Sequence, residues 1–179
     1  MHRPMKAQGC FDGFGVAAQR AVVAGIVDAG ALPRVADLLA DGDDAADVAY
    51  RITGSADAAG RPALEVQVSG ALPLTCQRCL QPFSWPVEQT TLLLLARDER
   101  ELARIDDEDH EHEAVLADAP LDAMALVEDE LLLTLPFAPR CPEADCAAAQ
   151  CDGGGTAGTP SAFGVLAGLR PAPGTKTPR

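Results

Sequence analysis

Aromatic side chains are scarce in this sequence, at 4 % of residues with one Trp and one Tyr. Most of the packing therefore falls to Leu, Val and Ala. Basic charge is also short: 14 Lys and Arg stand against 27 Asp and Glu, for a net charge of -13. Neutralising phosphates is the main source of affinity for nucleic acid, so tight binding to naked RNA is not expected of this chain alone. Long apolar runs are missing as well. Leu92–Ala96 and Leu131–Leu135 fall far short of the roughly 20 residues that a membrane helix needs. Arg20 interrupts the Ala/Val-rich stretch near the N-terminus, so a secretory leader is not expected. The chain reads as cytosolic, where thiols stay reduced. The six cysteines, Cys10, Cys76, Cys79, Cys141, Cys146 and Cys151, are then not a disulfide framework. No phosphate loop of the G-x-x-x-x-G-K type and no G-x-S-x-G elbow occurs, so the sequence does not read as an enzyme.

A length of 179 residues suits one domain with an extension. The clearest β signals are Val48–Thr53 and Leu64–Ser69. The second alternates strictly, with Leu64, Val66 and Val68 on one face. The turn cluster 54–62 between them predicts antiparallel neighbours. Val87–Leu95 reads as a third strand, Gly25–Ala29 as a small fourth one and Val16–Val23 as a short helix. Pro33 suits the first turn of another helix, with Val35, Leu38 and Leu39 on one face. The mostly acidic stretch from Asp98 to Glu113 reads as flexible and solvated. The best helix runs from Pro120 to Leu135, with Leu121, Met124, Ala125, Leu131, Leu132 and Leu135 on one face. Glu128 falls on that face too and needs a partner there. Pro136 and Pro139 end the helix. The prediction is an α+β domain over residues 1–150: an antiparallel sheet with the C-terminal helix packed across it. Residues 151–179 read as a flexible linker carrying a short docking helix, with Phe163, Leu166 and Leu169 as its apolar edge.

The chemistry concentrates in Cys76-Gln-Arg-Cys79, followed by Pro82 and Pro86. A redox pair needs its first thiolate at a helix N-terminus, and prolines so close behind disfavour one. Two readings stay open. One is a structural zinc site that draws its second pair from the tail, as Cys76, Cys79, Cys146 and Cys151, with Cys141 the substitute. The other is a tight turn with reduced thiols. Arg78 and Gln77 face outward from this turn, open to RNA or a partner, since an Arg fork suits phosphate or carboxylate. Arg78 is also the expected internal partner of Glu128. His110 and His112 read as part of the solvated acidic run.

Cys76-Gln-Arg-Cys79-Leu-Gln-Pro-Phe83 resembles the C-Q-R-C-x-x-P-F segment of the YceD-like large ribosomal RNA subunit accumulation proteins. Leu126-Val-Glu-Asp-Glu-Leu-Leu-Leu-Thr-Leu-Pro136 is similar to that family's helix, and Phe163-Gly-Val-Leu-Ala-Gly-Leu169-Arg170 to its closing motif. Three motifs in one order, over about residues 20 to 170, make the likeness specific. Arg140-Cys141 stands where many relatives have a His, and Ser161-Ala-Phe163 replaces the usual N-P-F. The resemblance implies a non-enzymatic cytoplasmic factor that supports synthesis, processing or stability of 23S rRNA. Its implied partner is a large-subunit precursor, a ribosomal protein or an rRNA-processing factor. The alternative is a zinc-stabilised binding module whose protein client is unrelated to ribosomes.

Overall fold

The computed structural model describes residues 9–42, 46–142 and 146. Five strands form the main sheet: β2 (Val22–Asp28), β3 (Asp47–Ala56), β4 (Pro62–Thr75), β5 (Pro82–Ala96) and β6 (Glu113–Leu116), in that spatial order. The first four pair antiparallel as sequence neighbours. The alternation in Leu64, Val66 and Val68 is realised, since all three side chains are buried on one face with Val48, Tyr50 and Ile52 of β3. Helices α1 (Gly13–Gln19), α2 (Pro33–Ala36) and α4 (Ala123–Thr134) contribute Ala17, Val35, Ala123, Val127 and Leu131 to the same core. A two-stranded ribbon of β1 (Cys10–Phe11) and β7 (Leu121–Asp122) ties the N-terminal part to the start of α4. The prediction of an α+β fold with a helix packed on a sheet holds. The short helix expected over Val16–Val23 instead ends at Gln19, and Val22 and Val23 belong to β2.

The acidic stretch is the main correction. Residues expected to be flexible form helix α3 (Glu99–Glu108) and the edge strand β6, which is parallel to β5, with Leu93 opposite Glu113. The cause is local. The Asp98 carboxylate accepts from the N–H groups of Arg100 and Glu101 at 2.9 and 2.8 Å, while Glu101 accepts from the N–H of Arg97 at 2.8 Å. This reciprocal cap satisfies donors that otherwise face water alone. Ile105 then buries itself against Ala63, Leu94 and Ala96 on the second face of the sheet. Arg61, between the Asp57 and Asp109 carboxylates, clamps the β3–β4 turn to the end of the helix.

Helix α4 is present but turned relative to the predicted face. Its buried positions are Ala123, Leu126, Val127, Glu128, Glu130 and Leu131, while Ala125 is exposed. The expected pair between Arg78 and Glu128 does not form. The N–H of Arg34 donates to Glu128 Oε1 (2.7 Å) and its Nε to Oε2 (2.8 Å), and its fork also reaches Asp129 (2.7 Å). Burial opposes the charged form of Glu128, but these bonds outweigh it and hold the carboxyl below its ordinary value. A lowered folded pKa stabilises in full above the ordinary carboxyl range, and that stability is lost as pH falls through the folded value. Arg34→Ala is therefore expected to lower the melting temperature by several degrees at pH 7 and by less at pH 3. Equal losses at both pH values in thermal melts would show that the pair is not the cause.

Candidate metal centre at the β4–β5 turn

The β4–β5 ladder closes with Thr75 opposite Pro82, leaving Cys76 to Gln81 as the connection. The Cys76 N–H donates to the Gln81 carbonyl and the Leu80 N–H to the Cys76 carbonyl, both at 2.9 Å. Leu80, just after the second cysteine, takes a left-handed conformation (φ 61) that curls the chain back into β5. Strand follows the turn, so neither thiol stands at a helix N-terminus of the kind that a dithiol redox motif uses.

The second pair of thiols comes from the chain beyond α4. Pro136 stops that helix, and the Gln77 N–H donates to the Pro139 carbonyl at 2.8 Å, pinning the returning segment to the turn. Cys141 and Cys146 then face the first pair. Cys76 Sγ lies 3.8 Å from Cys146 Sγ, and Cys79 Sγ 3.7 Å from Cys141 Sγ. All four sulfurs lie within 4.8 Å of one another. Zinc held by four thiolates at about 2.3 Å has tetrahedral edges of about 3.8 Å, whereas a disulfide needs about 2.05 Å. The two sulfur–sulfur distances fit the first geometry.

The electrostatics point the same way. Hydrogen bonds from the backbone N–H groups of Cys141 and Cys79 outweigh burial and bring the Cys76 thiol down to about 5. Burial and the neighbouring thiols push Cys141 far up. The Gln81 N–H favours a thiolate at Cys79, but burial and the Cys76 thiol hold its proton on. One thiolate forms readily, and its neighbours resist a second negative charge. A divalent cation among the sulfurs removes that resistance and releases the remaining protons. The Arg78 side chain adds positive charge here, with Nε donating to Cys146 Sγ at 2.7 Å.

Of the residues singled out from sequence, the structure brings together Cys76, Cys79 and Cys146, with Cys141 as the fourth. Cys151, Phe163, Leu166 and Leu169 lie outside the described residues, as does the domain boundary after residue 150. Gln77 and Arg78 are exposed on the turn. Among the described residues, no other group of metal-ligating side chains converges in this way. Sequence reading missed the apolar rim. Leu80 and Phe137 are exposed large hydrophobics, and Leu38, Leu74, Leu135, Phe137 and Pro139 enclose a groove of about 140 Å³ beside the turn. It missed Glu130 as well, a glutamate only 2 % exposed on α4. His112 is not simply solvated, because its N–H and Nδ1 both meet the Asp109 carboxylate, at 3.0 and 3.2 Å.

Among the described residues, no helix is long and apolar enough to cross a membrane. Comparison with curated proteins and with solved structures finds no match. A family model does match, over residues 64–169, a span that contains the cysteine turn, α3, α4 and both cysteines of the second pair. Its description is Large ribosomal RNA subunit accumulation protein YceD, and the chain belongs to that family.

Proposed function

We propose that this chain is a non-enzymatic, cytoplasmic factor that supports synthesis, processing or stability of 23S rRNA during large-subunit assembly. The observation that carries the reading is the family match, which spans residues 64–169, from β4 past the cysteine turn and α4. Gln77 and Arg78 on the turn, with Phe163, Leu166 and Leu169 further along the chain, form the contacts to a ribosomal precursor, a ribosomal protein or a processing factor. A net charge of -13 favours a protein partner over naked RNA as the direct contact. Deleting the gene is expected to lower the ratio of 23S to 16S rRNA, read by gel or sequencing of total RNA. An unchanged ratio would remove the basis of the proposal.

Zinc is the ion that the four thiols suit best. Its role here is structural: all four positions are protein sulfurs, leaving no open site for a substrate. The ion ties the segment after α4 to the β4–β5 turn and so fixes the surface on which Gln77, Arg78, Leu80 and Phe137 lie.

A further inference from the structure

Two glutamates two residues apart on α4 are both buried, and their surroundings differ. Glu128 has an internal cation in Arg34. Glu130 has none. Its Oε2 accepts from the Thr91 hydroxyl at 2.7 Å, and that hydroxyl meets the Gln89 amide at 3.3 Å. Its Oε1 has no donor among the described residues. Every fully buried side-chain nitrogen or oxygen among them does have a partner, so Oε1 is reached by solvent. The opening is a groove of about 460 Å³ between the middle of β5, the α3–β6 connection and α4. Glu111, Glu113 and Glu130 line it, and among the described residues no Lys or Arg does. Burial raises the pKa of Glu130 against the Thr91 hydrogen bond, and the charges of Glu113 and Asp129, both repulsive, raise it further.

We propose that this groove receives a lysine or arginine side chain from a basic protein segment, with Glu130 as the buried acceptor at its floor. Carboxylates this buried are otherwise found paired, as Glu128 is. Leu133, 64 % exposed at the rim, offers an apolar strip for the aliphatic stem of such a side chain. A bound metal does not fit, because the only converging set of metal-ligating side chains among the described residues is the cysteine cluster. A polypeptide fits better than a lone small cation. The groove adjoins a second one of about 430 Å³ that shares Glu111, His112 and Glu113 and adds Asp106, His110 and Asp109, the last already paired with Arg61. Together they form an extended acidic track. Charge complementarity of this kind sets partner choice and register. The inference deepens the function proposed above by naming the partner's chemistry, and rests on that function for its biological setting.

The test uses the full chain and a fluorescent twelve-residue peptide rich in Lys and Arg, followed by anisotropy at 100 mM salt. Glu130→Gln keeps an acceptor for Thr91 and removes the charge, so its melting temperature is expected to hold or rise while peptide affinity drops about tenfold. Leu133→Lys, at an exposed position, supplies a cation in cis and is expected to weaken binding to a similar degree. Asp41→Asn, an exposed acid outside the groove, is expected to change affinity less than twofold. If both groove variants bind within twofold of the parent, the attraction is diffuse net charge and the inference falls. The outcome is separable from the proposed function: indifference to Glu130 alongside a lowered 23S ratio in the deletion would overturn the groove and leave the function standing.

Discussion

One zinc ion per chain is the expected content of the protein purified under reducing conditions, measured by elemental analysis. Cys76→Ser is expected to reduce that content to a small fraction and to lower the melting temperature by more than about 10 °C. The size of the effect follows from what the cluster holds. Residues 135–142 follow a helix that Pro136 has stopped. Their hydrogen bond to the turn is the one from the Gln77 N–H to Pro139. Leu135 packs against the main core, and beyond it the strongest attachment is through the sulfurs, which form a cluster of their own with Phe83 alongside. Metal binding in such a site is itself folding free energy, since no preformed ligand set exists in the unfolded chain. Arg78 contributes by offsetting part of the excess negative charge of four thiolates on one dication, so Arg78→Ala should retain zinc less tightly under a chelator challenge. Cys10→Ser serves as the control, because Cys10 is exposed and outside the cluster. A substoichiometric zinc content, with a melt that a chelator leaves unchanged, would show that the four thiols simply pack as reduced side chains.

How far the sequence announces this arrangement depends on the range over which each signal acts. The strands around Tyr50, Ile52, Leu64, Val66 and Val68 are legible because a period of two is a local property and one face is buried throughout. The first cysteine pair is equally plain. Which of Cys141, Cys146 and Cys151 completes the set is not, because Pro136 and Pro139 decide where the returning chain meets the turn. The α4 helix is legible at its C-terminal end, where Pro136 closes it, but it begins at Ala123 rather than Pro120, because Leu121 and Asp122 pair with β1 before the Asp122 carboxylate caps the Met124 N–H. Its face is not legible. Leu131, Leu132 and Leu133 are consecutive, and Ala123 and Ala125 near the start of the helix suit either face, so several stripes fit the pattern equally well. Packing selects the one that buries Leu131 and leaves Leu133 out. The need of Glu128 for a cation is readable, but its partner stands 94 residues away, beyond any local pattern. In the acidic stretch the signal is present and overridden. Asp98 and Glu101 have the spacing of a capping pair, and Leu102 and Ile105 follow at helical spacing, yet the density of charge argues for disorder. The parallel strand β6 has four residues and no alternation long enough to read.

Gly54→Ala is expected to destabilise the protein by about 3 kcal/mol or more, a large effect for adding one methyl group. Gly54 lies within β3, with its N–H donating to the Ala21 carbonyl at 2.8 Å, where α1 crosses the sheet. A Cβ there would stand 1.9 Å from the Val16 carbonyl oxygen, 2.6 Å from its carbon and 2.9 Å from the Ala17 Cα. These atoms are all backbone, so no side-chain rotation relieves the clash. The helix has to move by more than about 1 Å, and close-packed interiors resist such shifts. It cannot move freely, because Ala17 shares a core with Val127 and Leu131 of α4, while the Ala21 N–H bonds the same Val16 carbonyl at 3.0 Å. Gly25 is the useful comparison. A Cβ at that position meets the Tyr50 ring and hydroxyl, the nearest atom at 2.8 Å, and the end of a side chain can swing away. Urea denaturation of the two alanine variants should therefore differ clearly, with Gly54→Ala losing far more. A loss below about 1 kcal/mol at Gly54 would mean that α1 sits farther from the sheet than this packing requires. A large loss would fix α1 and β3 as one rigid unit, the platform on whose common core α4 delivers the second pair of cysteines to the turn.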